Sequence, residues 1–253
     1  MEKIESKAWD KYASVYHQYI ISPFQKGVQN PLLDYLRKIP QTKSLVVADL
    51  GCGPGEFLPI LSKKFGKVYA LDFSKEMIKI SKERNSDKEN IHFKVADLRE
   101  LSKHNLNLDI AIAVNSVLDP SIRKINKIMK EIYNSINEKG VFLGIFPSME
   151  AIIHYSMLIY ENELEKNDDE KIAIRKARRK AERSKYCFIR GIYKDDPDRQ
   201  KFFYKFELKR RLEDAGFNKV SFKKVYYPWN KNGDFKGIKN KPMMWDWFVS
   251  AKK

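Results

Sequence analysis

Cysteine is nearly absent from this chain: 253 residues hold only Cys52 and Cys187. Two such thiols make no disulfide framework, and both are expected to be reduced, as in a cytoplasmic protein. Histidine is almost as scarce. His17, His92, His104 and His154 form no close ligand pair with one another or with the cysteines, which argues against a metal site. Long apolar runs are missing too. The longest, 141–147 and 151–160, fall short of a spanning helix, and the charged N-terminus lacks a signal peptide's apolar core, so no membrane span is expected. Acid is in deficit, with 33 Asp and Glu against 49 Lys and Arg and a net charge of +16. What remains is globular: 43% hydrophobic and 13% aromatic residues, in a chain long enough to bury a substantial core.

The most informative stretch is Val46-Val47-Ala48-Asp49-Leu50-Gly51-Cys52-Gly53-Pro54-Gly55. An apolar run ending in an acid and then alternating glycines describes a strand opening into a turn that cradles a ligand. Glycines at i, i+2 and i+4 allow positive φ and close backbone approach. A dinucleotide site wants G-x-G-x-x-G, and this chain has G-x-G-x-G. A second apolar run, Lys67-Val68-Tyr69-Ala70-Leu71-Asp72, ends in an acid 23 positions after Asp49. That interval fits one βαβ unit, with a helix over 56–65 and a turn at Gly66. An acid at that strand end suits a ribose diol; the competing role for Asp72 is helix N-cap, which Ser74 can fill instead. Further runs end at Asp97-Leu98, at Asn115 and at Pro147, separated by a helix over 122–137 and a turn at 138–140. Five βα units of this kind call for a mostly parallel, doubly wound α/β sheet with its ligand at the carboxyl ends of the strands.

The first motif, with Asp49 ahead of it, resembles that of the class I S-adenosylmethionine-dependent methyltransferases. The resemblance covers about 45–147 and 206–253. It implies a seven-stranded Rossmann-like methyltransferase fold and S-adenosyl-L-methionine as cofactor. It also implies cofactor contacts from Asp49, Gly51, Cys52, Gly53, Gly55, Asp72, Phe73, Met77, Asp97, Leu98 and Asn115. In that family the turn wraps the methionine end, Asp97 and Leu98 meet the adenine, and Asn115 faces the methyl donor. The helix over 206–217, closed by Gly216, and the strand over 220–227 match the family's last helix and sixth strand. The run over 244–251 matches the seventh, inserted antiparallel. The implied organisation is an N-terminal helical extension (1–40), a cofactor-binding core (41–147), a helical insert forming a substrate lid (148–205) and the rest of the core sheet (206–253).

The insert bears on the substrate. Its 149–160 stretch is apolar and aromatic, as a pocket roof or a simple packing face would be. In 171–185 the basic residues include Lys171, Arg175, Arg178 and Arg179, four cations on one helical face against the single acid Glu182. RNA or another anionic partner is therefore an alternative to a small molecule. Two features temper it: lysines outnumber arginines 37 to 12, and the surplus is spread, +6 over 1–147 and +10 over 148–253. A third alternative is a non-catalytic cofactor-binding module with a protein partner.

Methyl transfer from a sulfonium chiefly needs alignment of nucleophile, methyl and sulfur. A base helps if the nucleophile carries a proton, and His154, Tyr155 and Tyr16 are the candidates, each with an ordinary packing role as the competing reading. The sequence after the fourth strand, Asn115-Ser116-Val117-Leu118-Asp119-Pro120, lacks the paired prolines and aromatic of the exocyclic-amine methylating enzymes. Base methylation of that type is disfavoured. Asn115 itself suits either a cofactor contact or a turn.

Overall fold

The structure is a computed structural model that describes residues 22–40, 42–181, 185–194, 199–228 and 242–253. Tyr16 and the aromatic segment around it lie outside these residues, as does the basic residue Arg183. The core is one seven-stranded sheet in the order β3-β2-β1-β4-β5-β10-β9. In chain order, α1 (Pro31–Lys38) leads to β1 (Thr42–Leu50), α2 (Leu58–Lys64), β2 (Phe65–Asp72), α3 (Lys75–Arg84) and β3 (Ile91–Val95). A 3-10 helix (Leu98–His104) precedes β4 (Leu108–Val114), α4 (Ile122–Ser135) and β5 (Ile136–Pro147). The insert holds α5 (Met149–Leu164), α6 (Glu170–Lys180), β6 (Tyr186–Cys187), β7 (Ile192–Tyr193) and β8 (Gln200–Lys201). Then α7 (Lys205–Ala215), β9 (Asn218–Tyr227) and β10 (Met244–Lys252) close the sheet. Strands β1 to β5 run parallel, and β10 pairs antiparallel with both β5 and β9. This is the doubly wound, mostly parallel arrangement expected.

Alternation along the strands splits the core into two apolar layers, because successive side chains point to opposite faces. Ala48, Leu50, Ala111, Ala113, Phe142, Phe146 and Val249 share one layer with Ile125, Met129 and Ile132 of α4 and Leu208 and Leu212 of α7. Val47, Ile110, Ile112, Leu143, Ile145 and Phe248 share the other with Leu32 and Leu36 of α1 and Leu58 and Leu61 of α2. Capping fixes where the helices begin and end. The Asn30 side chain accepts from Leu32 N–H ahead of α1, with Pro31 at its first position. Gly216 closes α7 at φ +114° against the Tyr133 ring, the C-terminal glycine the sequence indicates.

Four local expectations are corrected. Gly66 is not a turn: it lies in β2, where a β-carbon would stand 1.8 Å from the Lys43 carbonyl oxygen, so its bareness serves the close approach of β1. The preceding helix starts at Leu58, two residues late, because the turn runs on through Phe57. Residues 138–140 are no simple turn but part of β5, in an irregularity between its pairs Leu108–Ile136 and Ile110–Val141. The insert is also not purely helical. Its second half is a three-stranded antiparallel sheet, β6-β7-β8, where tyrosines and phenylalanines pack locally: the Tyr186 ring lies 5.2 Å from Tyr193 and 5.9 Å from Phe202.

Candidate active site

The turn 51–55 joins β1 to α2 and is tied to the carboxyl end of β2. The N–H groups of Gly51 and Cys52 both donate to the Leu71 carbonyl, at 2.7 and 2.9 Å. Gly51, Gly53 and Gly55 have φ of +75°, +51° and +80°, the left-handed region that favours glycine. A β-carbon on Gly51 would stand 2.3 Å from Cβ of Ser116, and one on Gly55 would stand 2.3 Å from the Ser81 hydroxyl. The glycines therefore let the turn pack on the exit of β4 and on α3.

Acidic groups gather where these strands end. Asp49 is 3% exposed, and burial together with the charge of Asp72 raises its carboxyl to about 7. Asp72, also buried, accepts from Gly53 N–H and Ser74 N–H, both at 2.9 Å. Ser74, not Asp72, caps α3, its hydroxyl accepting from Met77 N–H. Asp72 is thus released from the capping role and braces the glycine turn. Cys52 is buried within the turn, and burial followed by the charges of Asp49 and Asp72 raises its thiol well above the usual range. Such a thiol is inert.

The other residues expected around a cofactor divide by exposure. Phe73, just beyond β2, is 37% exposed, whereas Met77 is buried on α3. Asp97 caps the 3-10 helix, accepting from Arg99 N–H at 2.8 Å and from the Arg99 guanidinium. Against the upward push of burial, Arg99 holds this carboxyl below its usual range. Leu98 is half-buried beside it. Asn115 follows β4 at φ +48°, a conformation asparagine tolerates better than most. Its N–H donates to the Ile145 carbonyl at 2.9 Å.

Two residues at this edge escape sequence reasoning. Asp246, the third residue of β10, lies opposite Pro147, and because β10 is antiparallel its first residues lie level with the carboxyl ends of the parallel strands. Its carboxylate accepts from Tyr227 OH at 2.7 Å and from Asn115 Nδ2 at 3.4 Å. Burial pushes Asp246 up to about 6 despite these bonds. Tyr227 is raised as well, by burial and then by the Asp246 charge. The one signal in the sequence is an acid standing between Trp245 and Trp247 in a mostly apolar strand.

Of the base candidates, His154 and Tyr155 lie among the described residues, both on α5. On α5, the His154 ring lies 5.2 Å from that of Trp245, with Nε2 3.4 Å from the Pro242 carbonyl oxygen. Tyr155 packs beside Leu158, Ile159, Ala177 and Ala181 at the α5–α6 seam. The insert itself is pinned over the strand ends. Phe203 N–H donates to the Pro147 carbonyl at 2.8 Å, Met149 N–H to the Phe203 carbonyl at 3.0 Å, and Lys201 N–H to the Leu118 carbonyl at 2.8 Å.

A glycine turn, two buried acids and a buried Asn115 Oδ1 with no partner among the described residues suit a ligand with a cationic end, as S-adenosylmethionine has at its sulfonium and ammonium. Sheet order and the place of the glycine turn are those of a Rossmann-like methyltransferase fold. Residues 47–140 match the family described as a methyltransferase domain. The malonyl-[acyl-carrier protein] O-methyltransferase of Marinomonas sp. (strain MWYL1) is 32% identical over 140 residues, covering 53% of this chain and 48% of that protein. The trans-aconitate 2-methyltransferase of Afipia carboxidovorans is 32% identical over 75 residues, 29% of each chain. The chain thus spans about half the length, or less, of these curated relatives. Among solved structures, the DhpI–SAH complex superposes with a TM-score of 0.61 at 15% identity, covering 99% of this chain and 95% of that one. Among the described residues, no helix is long and apolar enough to cross a membrane.

Proposed function

We propose that this protein transfers a methyl group from S-adenosylmethionine to a carboxylate oxygen of a small organic acid. The observation that carries the small-molecule part is the way the insert is fastened. Hydrogen bonds from Lys201 and Phe203 to Leu118 and Pro147 tie residues 148–205 onto the exits of β4 and β5, beside Asn115. A wall there encloses an acceptor instead of leaving an open groove, so the insert serves as the substrate lid. The carboxylate class rests on the two relatives, whose names specify malonyl and trans-aconitate, both acids.

When bound, S-adenosylmethionine supplies an activated methyl group on sulfur. The protein's own task is alignment, which is worth several kcal/mol of the barrier. The glycine turn and Asp49 hold the methionine end, Asp72 meets the ribose, Phe73 offers a half-exposed ring face to the adenine, and Asp97 and Leu98 line its edge. A carboxylate acceptor is already ionised at neutral pH and needs no base. His154 and Tyr155 accordingly act as packing residues of the lid. The basic residues Lys171, Arg175, Arg178 and Arg179 form the solvent-facing side of α6, whose Ala173 and Ala177 are buried. An RNA acceptor at 171–185 finds no support in the relatives.

The test is transfer of labelled methyl from S-adenosylmethionine to a panel of small di- and tricarboxylic acids and their thioester derivatives. A carboxyl methyl ester releases its label as volatile methanol in mild alkali. Base-stable product, or label found only on RNA, overturns the proposal.

A further inference from the structure

We propose that Asp246 and Tyr227 are positioning residues that lock the Asn115 side-chain amide so that its carbonyl oxygen is presented to the cationic methionine end of the cofactor. This rests on the cofactor assignment and is independent of which acid accepts the methyl group. The three residues come from separate strand ends: Asn115 after β4, Tyr227 closing β9 and Asp246 near the start of β10. All lie along the carboxyl edge of the parallel strands, since Asp246 pairs with Pro147 at the end of β5 and with Val225 of β9.

The locking follows from donor and acceptor arithmetic. The Asp246 carboxylate takes a hydrogen bond from Tyr227 OH at 2.7 Å and another from the Ser148 N–H, and it faces the Asn115 amide at 3.4 Å. A carbonyl turned toward a carboxylate would set two acceptors against each other, so the amide turns its Nδ2 inward. Its Oδ1 is left buried, with no partner among the described residues. Unpaired buried acceptors are rare because they forfeit hydration and gain nothing in return.

The site says which partner fits. Ser116, the next residue, packs its Cβ against Gly51 and donates its hydroxyl to the Leu50 carbonyl at 2.5 Å. Asn115 is therefore one residue from the glycine turn. An acceptor oxygen there, close to two buried acids, complements a cation or an N–H donor. Sulfonium and ammonium are the cations that the methionine end offers; adenosine carries no cation, and the proposed place of its amino group is beside Asp97. Phenol, carboxylate and amide thus act as a relay of orientation: Tyr227 holds Asp246, and Asp246 holds Asn115.

The experiment compares calorimetric binding of S-adenosylmethionine and of adenosine to the full chain. In Asp246→Asn the neighbour donates or accepts equally well and the amide loses its fixed sense. S-adenosylmethionine affinity is expected to fall about tenfold, the value of one charge-assisted hydrogen bond, while adenosine stays within about twofold. Tyr227→Phe, which keeps the ring, gives a smaller loss with the same selectivity. In an Asn115→Ala background, Asp246→Asn causes no further loss. Equal weakening of both ligands would show a merely structural role and overturn the proposal, as would unchanged S-adenosylmethionine affinity in Asp246→Asn. A wild-type protein that binds neither ligand would instead remove the cofactor assignment on which the proposal stands.

Discussion

Raising the pH from 6 to 8 is expected to tighten cofactor binding about tenfold, with Asp49 as the responsible group. Its carboxyl stands at about 7 because burial and the nearby Asp72 both oppose its charge. At pH 6 roughly nine-tenths of the free protein carries Asp49 protonated, and at pH 8 roughly one-tenth does. A cationic ligand end beside it favours the ionised form, so binding expels the proton. For one group titrating at about 7, the apparent dissociation constant carries a factor of about 11 at pH 6 and about 1.1 at pH 8. Asp246, at about 6, lies at the lower edge of this range and adds at most a further factor of about two at pH 6. The assay is calorimetric titration with S-adenosylmethionine at pH 6, 7 and 8, each in two buffers of different ionisation enthalpy. The expected release near pH 7 is about half a proton, and it disappears in Asp49→Asn. Affinity that is flat across this range, or that weakens as pH rises, would refute the reasoning.

The same carboxyl sets a stability trend of opposite sense in the cofactor-free protein. Its folded value lies above the unfolded one, so the folded state holds the extra proton and stability falls as pH rises from about 4 through 7. The whole effect is at most roughly 4 kcal/mol, and Asp49→Asn is expected to melt above wild type at pH 8. Gly51→Ala forces a β-carbon to 2.3 Å from Ser116 at φ +75°. It is expected to cost about 1–3 kcal/mol in a melting experiment and to abolish cofactor binding. In the insert, the fully buried Lys201 ammonium is held by Glu207 at 2.7 Å and by the Arg190 and Phe202 carbonyls. Glu207→Gln leaves that charge under-compensated and should lower stability by roughly 3 kcal/mol, measured by denaturant unfolding, whereas an unchanged midpoint would show that the carbonyls suffice. Thiol labelling of the native protein should be fast at the half-buried Cys187 and slow at Cys52 until unfolding.

The parts legible in the sequence were those with a local cause. Alternating glycines, apolar runs and acids at strand ends announce β1 to β5 and the turn, because each signal lies within one βα unit. The antiparallel β10 was legible only through resemblance. Gly66 misleads because a glycine bared for a neighbouring strand looks the same in sequence as one bared for a turn. The small sheet of the insert is hidden for a similar reason: its strands are two residues each, too short for any period. Asp246 and Tyr227 stand 131 and 112 positions from Asn115, and only the strand order β4-β5-β10-β9 brings them together. No spacing rule reaches across that distance.

The most direct measurement on this protein is calorimetric titration of S-adenosylmethionine into wild type, Asp72→Ala and Gly53→Val. The expected result is one site per chain in wild type, with binding lost in both variants while each remains folded. Unchanged affinity in both would mean that the glycine turn and the acid bracing it do not hold the methyl donor.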